Sequence, residues 1–193
     1  LVATIRAMKY HGGVAKVDLN NENLEALDKG MVNMEHHIKN INEVYGLPCV
    51  VCLNHFTLDT DAEVDMLMKR CESLGAKAVV SKHWADGGAG AEDLANAVVD
   101  IVDNNPGTHK YVYEDNDSLT EKIEAISTKV YGAGSVSYDP KVKKQLADWN
   151  EKYGSYPVCM AKTQMSFSTD PTVIGAPTGH NVHVSEVRLA NGA

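Results

Sequence analysis

The residues with the most chemical promise lie just beyond two short apolar runs. Asn54-His55-Phe56-Thr57-Leu58-Asp59-Thr60 follows the run at residues 48–53, and Lys82-His83-Trp84-Ala85-Asp86-Gly87-Gly88 follows the run at residues 76–81. In open α/β sheets, ligands bind outside the carboxyl ends of the strands. An Asn at such an end offers a donor and an acceptor to the edge of a heterocycle. Phe56 and Trp84 each sit one turn past an apolar run rather than inside it, so each is a candidate stacking face. On neighbouring strands the two rings reach one crevice and can grip a flat ligand. The competing reading is that Asn54 caps a turn and both aromatics fold back onto the core.

Other chemistry has weaker support. Gly87-Gly88-Ala89-Gly90 could present backbone N–H groups to a phosphate ahead of a helix, but it lacks both the GxxxxGK[ST] lysine and the GxGxxG spacing. A plain turn explains it equally well. Cys49-Val-Val-Cys52 has the CxxC spacing inside a β-branched run. Residues i and i+3 of a strand point to opposite faces, so these thiols read as small buried hydrophobes. His180 and His183 are separated in the same way, and no HExxH or Cys/His set appears, so no metal site is expected. Ser166 and Ser168 lack a GxSxG elbow.

The elements that position these residues alternate. Residues 1–7 read as a strand followed by a His11-Gly12-Gly13 turn. Residues 22–40 carry Leu24, Leu27, Met31, Met34 and Ile38 at helical spacing, one apolar stripe of one helix. Residues 48–53 are continuously apolar, as in a parallel strand buried on both faces. Asp59-Thr60-Asp61 supplies N-cap chemistry for a helix ended by Gly75. Residues 76–81 form a third strand, and residues 92–102 a helix with Leu94, Val98 and Ile101 inward. This alternation implies a parallel sheet. Asn104-Asn105-Pro106-Gly107 is the strongest turn cluster and divides residues 1–105 from residues 106–193. Beyond it come a short apolar stretch at 111–113, helices near 118–131 and from Asp139-Pro140, a strand at 156–161, a polar loop from 162 to about 171, and a last strand at 180–187.

The composition fits a globular chain. It has 193 residues, 44% hydrophobic and 23% charged, with a net charge of −8. That acidity argues against nucleic acid or an anionic membrane as partner, since both need clustered Lys and Arg. No apolar run approaches the ~20 residues of a bilayer span. Four cysteines are too few for a disulfide scaffold and suit a reducing compartment. The strand-like opening at Leu1, without a leader, reads as a piece of a longer protein.

Several stretches together resemble the formate–tetrahydrofolate ligase (10-formyltetrahydrofolate synthetase) family, in its bacterial single-function form. They are Leu1 through Gly13, Glu22 through Leu27, Asn54 through Thr60, His83 through Gly88, Lys129-Val130-Tyr131-Gly132-Ala133, and above all Pro157-Val158-Cys159-Met160-Ala161-Lys162-Thr163-Gln164. The resemblance runs the length of the chain and implies its C-terminal portion. The implied fold is α/β: a parallel, doubly wound, P-loop NTPase-like sheet domain, incomplete here, then a smaller α/β C-terminal domain. The implied activity is ATP-dependent ligation of formate to tetrahydrofolate through formyl phosphate. ATP with Mg2+ and tetrahydrofolate are then substrates, with room for a monovalent cation in the whole enzyme. Formate is a poor electrophile, and phosphorylation gives it a leaving group whose charge cations and backbone donors must hold.

By the same likeness, Phe56 and Trp84 line the folate pocket, Asn54 and Thr57 border it, and Asp59, Gly87 and Gly88 contact the crevice or the nucleotide. The glycine-rich ATP loop and the catalytic residues belong upstream of Leu1, so the segment alone is expected to be inactive. Its parent is expected to be a cytoplasmic homo-oligomer, with small molecules as partners and neither nucleic acid nor membrane. The sequence departs from the family in carrying Thr57 where a Pro usually follows this Phe, and in Met165, Phe167 and His180. A natural protein that truly started at Leu1 would instead be a non-catalytic α/β small-molecule-binding or interaction module.

Overall fold

A computed structural model describes residues 1–161 and 167–190. Two compact units emerge, Leu1–His109 and Lys110–Ala193. In the first, β1 (Val2–Ala3), β2 (Val50–Asn54) and β3 (Lys77–Ser81) form a parallel sheet in the order β1-β2-β3. β2 is central, with Val2 opposite Cys52, Val50 opposite Lys77 and Asn54 opposite Ser81. Val51 and Leu53 are fully buried, and Cys49 and Cys52 are buried as small hydrophobes, as expected of a strand covered on both faces.

The first strand is much shorter than residues 1–7 suggest. Thr4 accepts a hydrogen bond from the Ala7 N–H and caps α1 (Ile5–His11), so a local cap ends the strand after two residues. The stripe at residues 22–40 is likewise two helices, α2 (Leu24–Gly30) and α3 (Val32–Lys39), followed by a π turn at Asn40–Val44. The break falls where α2 packs against α1. A Cβ on Gly30 would lie 1.7 Å from the Met8 carbonyl oxygen, and one on Gly12 1.8 Å from that of Ala26. Only glycine permits this approach. Met31, Met34 and Ile38 still face the core, with Ile5, Leu27 and Leu67.

α4 (Asp61–Ser73) starts from a full Thr60–Glu63 capping box, and the Gly75 that follows it has φ +68. α5 (His83–Asp86) is a single turn, Gly87–Ala91 is a 3-10 turn, and α6 is Glu92–Asn104. In α6 it is Ala97 that is buried; Val98 is 45% exposed, against the sequence expectation. The helix meets the sheet through a narrower stripe than its valines suggest.

In the second unit, α7 (Leu119–Lys129) has a Ser118–Glu121 capping box. β4 (Ser135–Tyr138), α8 (Pro140–Tyr153) and β5 (Asn181–Val184) follow, with β4 and β5 pairing in parallel. Leu119, Ile123, Val142 and Leu146 form the core. Asp139 precedes α8 but does not cap it with its side chain; its Oδ1 lies 3.1 Å from His183 Nε2. Residues 156–161 form no strand. The Val158 N–H donates to the Tyr113 hydroxyl at 3.0 Å instead of to a neighbouring strand. Lys162, Thr163 and Gln164 of the sequence signature, with Met165 and Ser166, lie outside the described residues.

Candidate functional site: an aromatic cleft at the strand ends

The Asn54–Ser81 register brings the chain off β2 and β3 at one level. The His55 N–H donates to the Ser81 carbonyl at 3.0 Å, extending the ladder by a residue before the strands part. The next four residues close on themselves. The Phe56 N–H donates to Asp59 Oδ2 at 2.8 Å, and the Asp59 N–H returns a bond to the Phe56 carbonyl at 2.9 Å. An Asp bonding a nearby backbone amide is turn chemistry. It fixes where the Phe56 ring leaves the chain, and Thr60 then starts α4.

On β3, the Lys82 N–H donates to the Gly90 carbonyl at 2.9 Å and the Ser81 hydroxyl reaches the same carbonyl at 3.2 Å. This ties off residues 82–90 as a closed loop. A Cβ on Gly90 would come within 2.5 Å of the Lys82 carbonyl carbon. The single turn of α5, inside that loop, carries Trp84, which is 68% exposed.

Phe56 and Trp84 therefore meet. Their ring centroids are 6.2 Å apart with the planes tilted by 49°. They line a cleft of ≈ 290 Å³ with Arg6, Leu19, Asn20, Thr57, Leu58 and Asp59. A flat ring held between two parallel aromatic faces needs about 7 Å between them, two carbon contact distances. At the observed tilt the rings close on each other, and Trp84, the more exposed, is the one with room to turn aside.

The other sequence candidates fall outside this lining. Asn54 ends β2 with its Oδ1 buried and without a hydrogen-bond partner. Gly87 and Gly88 are exposed, and nothing lies within 4 Å of a Cβ on either. They form the 3-10 turn, and Glu92 and Asp93 take the first turn of α6.

Arg6, Leu19 and Asn20 were not singled out by the sequence. The signal for Arg6 is the one that marks the aromatics. It stands three residues past the end of β1, as Trp84 stands three past β3. Reading residues 1–7 as one strand hides it.

Behind the cleft, Lys9 Nζ and Glu63 Oε1 form an ion pair of 2.7 Å, with side chains 1% and 0% exposed. Glu63 also accepts from the Asn23 N–H at 3.0 Å and the Thr60 N–H at 3.2 Å. Burial pushes its carboxyl up, but the Lys9 ammonium and these two amides outweigh that and hold it below its ordinary value. The pair pins the start of α4, one residue after the Phe56–Asp59 turn.

No helix among the described residues is long and apolar enough to cross a membrane. No group of three or more His, Cys, Asp or Glu that could hold a metal ion occurs among the described residues.

The family model described as formate–tetrahydrofolate ligase matches residues 1–193. The whole chain aligns with the formate–tetrahydrofolate ligase of Methylococcus capsulatus at 64% identity over 193 residues. It aligns with that of Methylibium petroleiphilum at 52% over 197 residues and that of Pelagibacter ubique at 47% over 194 residues. It spans 34–35% of the length of these curated relatives. Matched along its full length by the family model and by these relatives, the chain belongs to the formate–tetrahydrofolate ligase family.

Proposed function

We propose that this chain is the folate-gripping part of an ATP-dependent ligase that joins formate to tetrahydrofolate. The observation that carries the reading is the Phe56–Trp84 pair at the carboxyl ends of two neighbouring parallel strands. Trp84 turns aside to admit the reduced pterin, which then lies against the Phe56 ring. A stacked aromatic of this kind contributes about 0.5–1.5 kcal/mol beyond area burial. Asn54, whose carbonyl oxygen is buried outside the present lining, borders the pocket at the end of β2. Thr57 and Asp59 line the wall, with Thr57 leaving the turn less stiff than a Pro would.

In the complete enzyme, ATP phosphorylates formate, and N10 of the bound tetrahydrofolate attacks the formyl carbon and expels phosphate. The role of this segment is to hold the nucleophile in position, the contribution of orientation to rate. Gly87 and Gly88 stand where a crevice contact is open to them. The groups that bind ATP belong to the rest of the polypeptide, and the segment alone is inactive. The parallel sheet is part of a P-loop NTPase-like domain covering residues 1–105, residues 106–193 form a smaller domain, and the parent is a cytoplasmic homo-oligomer. The test is product formation by the full-length protein with ATP, formate and tetrahydrofolate each omitted in turn. All three are required on this reading, and turnover without any one of them overturns it.

A further inference from the structure

We propose that Arg6 anchors the glutamyl carboxylate of the folate ligand. This rests on the reading that the Phe56–Trp84 cleft takes tetrahydrofolate. The three parallel strands deliver one side chain each to that cleft: Arg6 from beyond β1, Phe56 from beyond β2 and Trp84 from beyond β3. Two are flat apolar faces and the third is a cation. The cleft, at ≈ 290 Å³, lies at the bottom of the ~300–1,000 Å³ range of small-molecule pockets. It accommodates a bicyclic ring and leaves the benzoyl-glutamate tail along its rim.

The Arg6 guanidinium is poorly occupied. It has five N–H donors and uses one on the side-chain oxygen of Asn20. No ion pair joins it to a carboxylate among the described residues, although the chain carries 26 Asp and Glu. Asp59, which lines the same cleft, directs a carboxylate oxygen to the Phe56 N–H instead. A guanidinium with open donors beside an apolar slot suits a planar oxyanion, which it can meet with two parallel bonds. Asn20 holds the fork at the wall. A phosphate would satisfy the same donors, so the experiment separates the two.

In the full-length ligase carrying this segment, tetrahydrofolate, 6-methyltetrahydropterin, ATP and inorganic phosphate are each titrated calorimetrically into the wild type, Arg6→Met and Arg6→Lys. The pterin has the ring without benzoyl or glutamate. Arg6→Met weakens tetrahydrofolate about tenfold to a hundredfold, the worth of a charge-assisted hydrogen bond, and leaves the pterin unchanged. Arg6→Lys, which keeps the charge without the fork, retains part of the affinity. An equal loss on both ligands, or unchanged tetrahydrofolate binding, overturns the assignment. So does a loss confined to inorganic phosphate or ATP, which gives Arg6 to the phosphoryl group. A Trp84→Ala protein that binds both folate ligands as the wild type does overturns the cleft reading itself, and Arg6 with it.

Discussion

Replacing Lys9 by Met leaves a carboxylate stranded inside the first unit. The two charges are 2.7 Å apart, and at an effective dielectric of about 20 they attract by about 6 kcal/mol. Taking both ions out of water costs several kcal/mol each, so the pair as a whole is close to neutral for stability. Removing one member alone is a different matter. The single change is expected to cost about 3–5 kcal/mol, the range for an uncompensated buried charge.

Lys9→Met/Glu63→Gln removes the charge while keeping an acceptor for the Asn23 or Thr60 amide, and is expected to recover about 2 kcal/mol or more. The assay is urea unfolding followed by Trp84 fluorescence in a Trp149→Phe background, which reports the first unit. The pH dependence has a definite sign. Because the folded-state value of Glu63 is depressed, its contribution is complete above the ordinary value of 4.5. It is lost as pH falls through the lower folded-state value. Lys9→Met flattens that acid limb. A single variant costing under about 1 kcal/mol, or a double variant no better than the single, refutes the reasoning.

Two further expectations follow from packing and exposure. Gly30→Ala or Gly12→Ala puts a methyl into a backbone carbonyl across the α1–α2 contact. It costs about 1–3 kcal/mol or more, read as a fall in melting temperature of about 4 °C or greater; an unchanged melting point contradicts the close approach. Cys159 is exposed while Cys49, Cys52 and Cys71 are buried. Burial raises the Cys49 thiol and pushes Cys71 up to about 11. At pH 8 Ellman's reagent should therefore react quickly with one thiol and with the other three only after unfolding; two or more fast thiols would count against the packing.

The sequence shows the two aromatics because they interrupt a pattern: a large ring in a polar loop directly after an apolar run is conspicuous. The Thr60 cap and the Gly75 stop are legible for a similar reason, since their chemistry is local to a few residues. What is hidden depends on distant partners. Nothing near Thr4 announces that it ends a strand rather than continuing one, and α1 is missed with it, along with Arg6. The division of the 22–40 stripe comes from Gly30 meeting a backbone carbonyl 22 residues earlier. β4 is too short and polar to register, and residues 156–161 have strand composition without a strand partner. The Lys9–Glu63 pair joins residues 54 apart whose types read as ordinary surface charges.

The most direct measurement is a tetrahydrofolate titration of the full-length ligase and its Trp84→Ala variant. Loss of one stacked face is expected to weaken binding by about 1–3 kcal/mol, roughly fivefold to 150-fold in dissociation constant, with the melting temperature unchanged. Equal affinity in the two proteins contradicts the claim that these paired rings hold the folate.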